Sequence, residues 1–292
     1  MAYQHPGQTF IEQYGPLLDK RQAHRYVTQY ADFLRQASGM GETPPILLDH
    51  IYRSFEIPTP YRAPLIDQQG ILVDADAGII LIKDDDPRAR QRFTEGHELM
   101  ELLFDAHNER AAQATNTSQK TAIPIWQGPL KEQWCDRGSA ALLMPQSSFV
   151  PQLMELDVSL ETARILSKTY CTSFMATLLQ MMEHSAGSHA TVVWRWAISR
   201  KDQQESDRTG IPPKAKLRVW WRKCSKRWDG GFIPKNKSIS RPSSIIDTAF
   251  EQRSHQCTET LLFEKTPIQC RIETMSLPLA DQSCVLSLLH TE

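Results

Sequence analysis

The chain has 292 residues, is 40% hydrophobic and 23% charged, and carries a net charge of −1, the make-up of a folded globular protein with one large domain or two smaller ones. No apolar run approaches the ~20 residues of a membrane span, and no basic-then-apolar start marks a signal peptide, so neither a membrane protein nor a secreted one is expected. The six cysteines (Cys135, Cys171, Cys224, Cys257, Cys270 and Cys284) form no C-x-x-C pair, which argues against a zinc knuckle and fits a cytoplasmic protein with reduced thiols.

Taken in chain order, residues 1–15 read as a loose arm. Apolar residues then recur at helical spacing over 17–37 (Ala23, Tyr26, Val27, Tyr30, Phe33, Leu34). Residues 39–45 are a break, and 46–55 form a short amphipathic helix. The prolines of Ile57-Pro58-Thr59-Pro60-Tyr61 hold that stretch extended. Residues 70–74 and 78–82 read as two strands joined by the turn residues Ala75-Asp76-Ala77. The outer edge of such a pair can take up an extended peptide by strand addition. Asp84-Asp85-Asp86-Pro87 marks a helix start, and the helix is expected to run from Arg88 to about Ala106.

Residues 107–130, polar and containing Pro and Gly, read as a loop. A helix over 132–143 is ended by Pro145, and two helices fill 159–182. Ser159 caps the first of these, and Thr169–Ser173 breaks the period in the manner of a helix-turn-helix. The second helix contains no Lys or Arg, so packing rather than DNA contact is expected of it. Residues 185–188 form a linker. Beyond them the signal is mainly β, over 191–198, 217–221, 260–263, 268–273 and 284–289.

The residues that carry chemistry lie on the helix after the second strand, in His97-Glu98-Leu99-Met100-Glu101. In an H-E-x-x-H helix, two His side chains four residues apart share a face and bind Zn²⁺, while the Glu beside the first polarises the attacking water. Here Glu101 stands where the second His belongs. A carboxylate oxygen is a legitimate zinc ligand, so the spacing assigns His97 and Glu101 to a metal and Glu98 to proton transfer. The harder donor set suits Zn²⁺ or another oxygen-tolerant ion such as Mn²⁺. His107 follows His97 at the metzincin interval, but Phe104 replaces the Gly which that pattern needs, so His107 reads as a surface-loop residue.

Charge is unevenly spread. From Arg195 to Arg241 there are 14 Lys/Arg against 4 Asp/Glu, and the rest of the chain has 19 against 30. Five of the seven Trp (Trp194, Trp196, Trp220, Trp221, Trp228) fall between Trp194 and Arg241. This stretch reads as a nucleic-acid surface of stacking rings and phosphate-binding cations, as a face for an acidic partner or sensed ligand, or as a β-domain with rings in the core and cations in water. The period-two alternation favours the β-domain.

Several blocks in order make residues 20–183 similar to the ImmA/IrrE family of zinc metallo-endopeptidases. Pro44-Pro45-Ile46 follows a helix, two short strands end near Ile82, and Arg90-Gln91-Arg92-Phe93-Thr94 precedes His97-Glu98-Leu99. Glu132-Gln133-Trp134-Cys135-Asp136 then leads into Ser139-Ala140-Ala141-Leu142-Leu143-Met144-Pro145, which resembles the family's E-x-x-A-[ND]-x-F-A-x-x-L-L-M-P element. The resemblance implies that Glu132 is the third metal ligand, with Asp136 one turn on as a partner of the centre. Cys135, Gly138 and Ser139 depart from the pattern as packing changes, with Cys135 and Trp134 in the core.

The reading is an α+β protein: a zincin-like metallopeptidase domain over 1–146, a helix-turn-helix-like segment over 147–186, and a C-terminal, β-rich, sensor-like domain over 187–292. The resemblance implies a cytoplasmic protease that cleaves a partner protein, a transcriptional repressor, in a stress, mobile-element or defence response. Glu98 would be its base, and His97, Glu101 and Glu132 its metal ligands. Because of Glu101, the alternative is a catalytically retired fold kept as a regulatory module that binds protein or, through Arg195 to Arg241, nucleic acid.

Overall fold

The computed structural model describes residues 3–115, 123–263, 267–279 and 282–291. The chain divides into two compact units, Met1–Gln152 with Ile165–Ala176, and Leu153–Arg164 with Thr177–Glu292.

The first unit starts with a helix, α1 (Pro6–Tyr14), where the sequence suggested an arm; residues 1 and 2 lie outside the described residues. Pro6 presets the first turn, the His5 side chain caps the Gln8 amide, and Gly15 at φ +80° ends the helix. Phe10 and Ile11 bury the inner face. The amphipathic α2 (Ala23–Ala37) and short α3 (Leu48–Ser54) follow as expected. Strand β1 (Tyr61–Ala63) grows from the proline-extended stretch, and β2 (Gly70–Asp74) and β3 (Ile79–Lys83) follow. The sheet order is β1–β3–β2. β1 runs parallel to β3, and β2 is antiparallel with Gly70 opposite Ile82. β2 is therefore an edge strand.

Helix α4 (Arg88–Thr115) carries the motif. The Gln91 amide donates to the Lys83 and Asp84 carbonyls and fixes its start to β3. The helix runs past the expected end near Ala106, so residues 107–115 are not loop; residues 116–122 of the expected loop lie outside the described residues. Good helix formers (Glu109, Arg110, Ala111, Ala112) make up the extension, and its polar composition hid it. His107 is accordingly no surface residue. It is fully buried, 3.0 Å from the Leu17 carbonyl oxygen, with the rings of Tyr26 and Trp126 edge-on to it.

Helix α5 (Gly128–Leu143) starts with Pro129 in its first turn and packs on α4. Ser139 donates to the Phe93 carbonyl at 2.7 Å, and Gly138 lies against the Met100 side chain. Glycine at 138, where the family has Phe, leaves room for Met100, and Ser at 139, where it has Ala, adds a hydroxyl that ties α5 to α4. α1 approaches α4 closely. A Cβ on Gly7 would collide with the Leu102 carbonyl oxygen in the α4 backbone. Gly7→Ala is expected to destabilise the unit by about 1–3 kcal/mol, the usual cost of overpacking, read as a lowered melting midpoint. An unchanged midpoint would contradict this seating of α1.

Three helices follow: α6 (Gln146–Leu156), α7 (Leu160–Tyr170) and α8 (Phe174–His184). Ser159 accepts the Thr162 amide at 3.0 Å as the expected cap, and Cys171 at φ +52° turns the chain between α7 and α8.

The second unit is built on an antiparallel sheet of β4 (His189–Ala197), β5 (Lys216–Cys224), β6 (His255–Leu262), β7 (Pro267–Leu279) and β8 (Gln282–His290), ordered β5–β4–β8–β7–β6. Two helices join it. α9 (Arg200–Thr209) has a complete capping box between Ser199 and Asp202 but no buried residue, so it left no apolar period to read. α10 (Ser244–Glu251) buries Ile245 and Ile246 in a core that includes Trp194, Val219, Ile272 and Leu289. Among the described residues, no helix is long and apolar enough to cross a membrane.

Candidate metal centre

The site is an open cleft of about 700 Å³, with Gln69 and, from β2, Gly70 and Leu72 on one side and His97, Glu101 and Lys131 among the residues of α4 and α5 that line it. One turn separates His97 from Glu101 on α4, so both face α5. There, residues 131, 132, 135 and 136 share a face by the same arithmetic. The four sequence-assigned residues, His97, Glu98, Glu101 and Glu132, all line this cleft.

The His97 ring is held from behind, with Nδ1 2.9 Å from Asp136 Oδ1. That contact fixes the ring as a carboxylate does behind a metal-ligating imidazole and leaves Nε2 directed at the carboxylates. Nε2 is 3.3 Å from Glu132 Oε2 and 3.7 Å from Glu101 Oε1. Nitrogen and oxygen ligands about 2.1 Å from a tetrahedral ion stand about 3.4 Å apart, and each carboxylate lies near that spacing from Nε2. Among the described residues, His97, Glu101 and Cys135 also form a group whose ligand atoms lie within 4.8 Å of one another. Cys135 is buried as expected, and it also donates to Glu101 Oε1 at 3.3 Å. Burial and the Glu101 charge push its thiol pKa well up in the metal-free protein; like His97, it would give up a proton to ligate an ion.

The charges are strongly coupled. Burial alone would lower the His97 pKa, but its bonds to Asp136 and Glu101 and the charge of Glu98 overcome this and raise it to about 10. Glu98 is pushed up to about 7, first by burial and then by Glu101, with His97 and the Leu72 amide working the other way. Burial works to raise the Glu101 pKa, yet its bonds to His97 and Lys131 bring it below the usual carboxylate range. Glu98 lies under β2, where a Cβ on Gly70 would stand 2.7 Å from its Oε1. Glycine is what lets the strand lie over the carboxyl group.

Residues 60–181 match the IrrE N-terminal-like domain of the M78 peptidases. This part of the chain is a domain of the ImmA/IrrE family. The M78 match takes in β1 to β3, the metal helix and all of α5, so every residue of the cleft named above falls within it. A solved structure of a Mycobacterium tuberculosis transcriptional regulator is similar at 11% identity and a TM-score of 0.56, over 98% of this chain and 80% of that one; at this identity the likeness is one of fold. A comparison with curated proteins gave no match.

Outside the M78 domain, the basic stretch places the Arg195 guanidinium 5.1 Å from the centre of the exposed Trp220 ring. Trp194 and Trp196 stand opposite Val219 and Leu217, while Arg195 stands opposite Arg218 on the other side of the sheet. Lys216 and Arg218 are paired to Asp202, and Lys223 and Lys226 to Glu183.

Proposed function

We propose that this chain is a metal-dependent endopeptidase that cleaves a partner protein, with a transcriptional repressor as the substrate class. The observation that carries the reading is Glu98: a buried carboxyl group with a pKa near neutrality, lining the same cleft as an edge strand and as His97, Glu101 and Glu132. A proton acceptor works best when its pKa lies near the working pH.

His97, Glu101 and Glu132 would hold the divalent ion. When bound, it supplies Lewis-acid polarisation of the scissile carbonyl and the attacking water. The substrate strand adds to the free edge of β2, whose unpaired backbone groups bond it in extended form. Glu98 accepts the proton of the attacking water and returns it to the departing amine. Asp136 holds the His97 ring in place throughout. The closeness of His97 to Glu101 and Glu132 supports this reading, and the pairing of Lys216, Arg218, Lys223 and Lys226 with carboxylates of the chain itself supports it over nucleic-acid binding.

The test is the metal content of the purified protein by elemental mass spectrometry. About one equivalent of zinc or manganese is expected in the parent, with most of it lost in Glu101→Ala and Glu132→Ala. No metal in the parent after reconstitution would sink the proposal.

A further inference from the structure

Lys131 was not singled out by its sequence context, yet it makes the shortest contact in the cleft. Its Nζ lies 2.5 Å from Glu101 Oε2 and 3.9 Å from Glu132 Oε1. These are the outer oxygens of the two carboxylates; the inner ones, Glu101 Oε1 and Glu132 Oε2, face His97 Nε2. The Lys131 side chain is three-quarters buried, so water screens its charge less than at the surface. The usual His at the Glu101 position is neutral. Glu101 adds a negative charge to the donor set, and Lys131, one turn from Cys135 on the adjacent helix, returns a positive one.

An ammonium group and a divalent ion seek the same carboxylate. We propose that Lys131 is a built-in competitor for the metal, a cation that neutralises Glu101 in the metal-free protein and holds down the affinity of the centre for divalent ions. This rests on the metal-centre reading above. The effect has two physical parts. The ion must share Glu101 with a charge-assisted hydrogen bond already in place, and it must enter a cleft where a fixed positive charge repels it. The centre would fill only when divalent ions are plentiful, and occupancy would switch the protein. Lys131 acts through Glu101 and is a positioning residue.

The experiment uses the metal-stripped full chain and Zn²⁺ or Co²⁺ alone, titrated in competition with a chromophoric chelator. Lys131→Met and Lys131→Gln are expected to bind at least about tenfold more tightly than the parent. Lys131→Arg, which keeps the charge, should stay near the parent, and His97→Ala should bind neither ion. The two neutral variants should also show a lower melting midpoint without metal and a larger rise on adding it, because His97 is then the one cation left beside the carboxylates of Glu101 and Glu132 among the described residues of the cleft. If the neutral variants bind no more tightly while His97→Ala abolishes binding, the competitor role is overturned and the metal centre stands. If none of the proteins binds either ion, the metal centre fails and the competitor role fails with it.

Discussion

Glu98→Gln is expected to reduce peptide cleavage by about 10²- to 10⁴-fold, the range of a lost acid–base group, with the fold and the metal content unchanged. The amide has the shape of the acid, so the packing under Gly70 is kept and an oxygen remains to accept the Leu72 amide. What it cannot do is take a proton from water. Stability should respond in the opposite direction from activity. In the metal-free folded protein the Glu98 pKa is raised to about 7, so the folded form binds more protons than the unfolded chain between the ordinary carboxylate pKa and about 7. The stability this contributes is complete in acid and is lost as pH rises through about 7. Gln has no such loss, and the variant should therefore match the parent in acid and melt higher above neutrality. Cleavage assays on a candidate partner protein and melting curves on either side of neutrality check both halves. Wild-type cleavage by the variant would remove Glu98 from the mechanism.

How much of this centre can be read without coordinates depends on whether its parts are local. His97, Glu98 and Glu101 are legible because one helical turn alone brings them together. Asp136 behind His97 follows from the same arithmetic applied to α5. Glu132 is reached only through the resemblance, since nothing in a lone Glu on a helix distinguishes a ligand from a solvated side chain. Lys131 and the second role of Cys135 are illegible, because both depend on how closely α5 lies on α4. The signal for that closeness is present in Gly138 and Ser139, small residues where the family has larger or apolar ones, but it has meaning only once the facing residues, Met100 and Phe93, are known. The limits of the elements failed for a simpler reason. α1, the last turns of α4 and the whole of α9 carry too few apolar residues at a regular interval, and they are set by a proline, a helix-forming run and a capping box respectively. The strands of the second unit were found because β-branched and apolar runs mark them, although each came out shorter than it is.

Metal binding should be coupled to proton release, and strongly. In the metal-free protein His97 sits among Asp136, Glu101 and Glu132, with Glu98 beside it on α4, and its pKa rises to about 10 despite burial. The sign follows directly. The folded protein holds the imidazole proton from the ordinary histidine pKa up to about 10, so this proton stabilises the metal-free fold fully below the unfolded value and ceases to do so as pH rises through the folded one. A metal accepts only the neutral imidazole. Binding must therefore expel the proton, and affinity should rise about tenfold per pH unit from neutrality to about pH 9. An unperturbed histidine, already neutral there, would give an almost flat profile. Calorimetry in buffers of different ionisation enthalpy counts the protons. About one per zinc is expected near pH 8.5, and more near pH 6, where Glu98 is also protonated and must give up its proton beside the cation. Asp136→Asn removes the strongest contribution raising the His97 pKa and should reduce the count in the alkaline range while weakening affinity about 10- to 100-fold through loss of ring orientation. A zinc affinity that does not change between neutrality and about pH 9 would mean that the carboxylates do not hold the proton on His97, and the charge balance assigned to the centre would have to be redrawn.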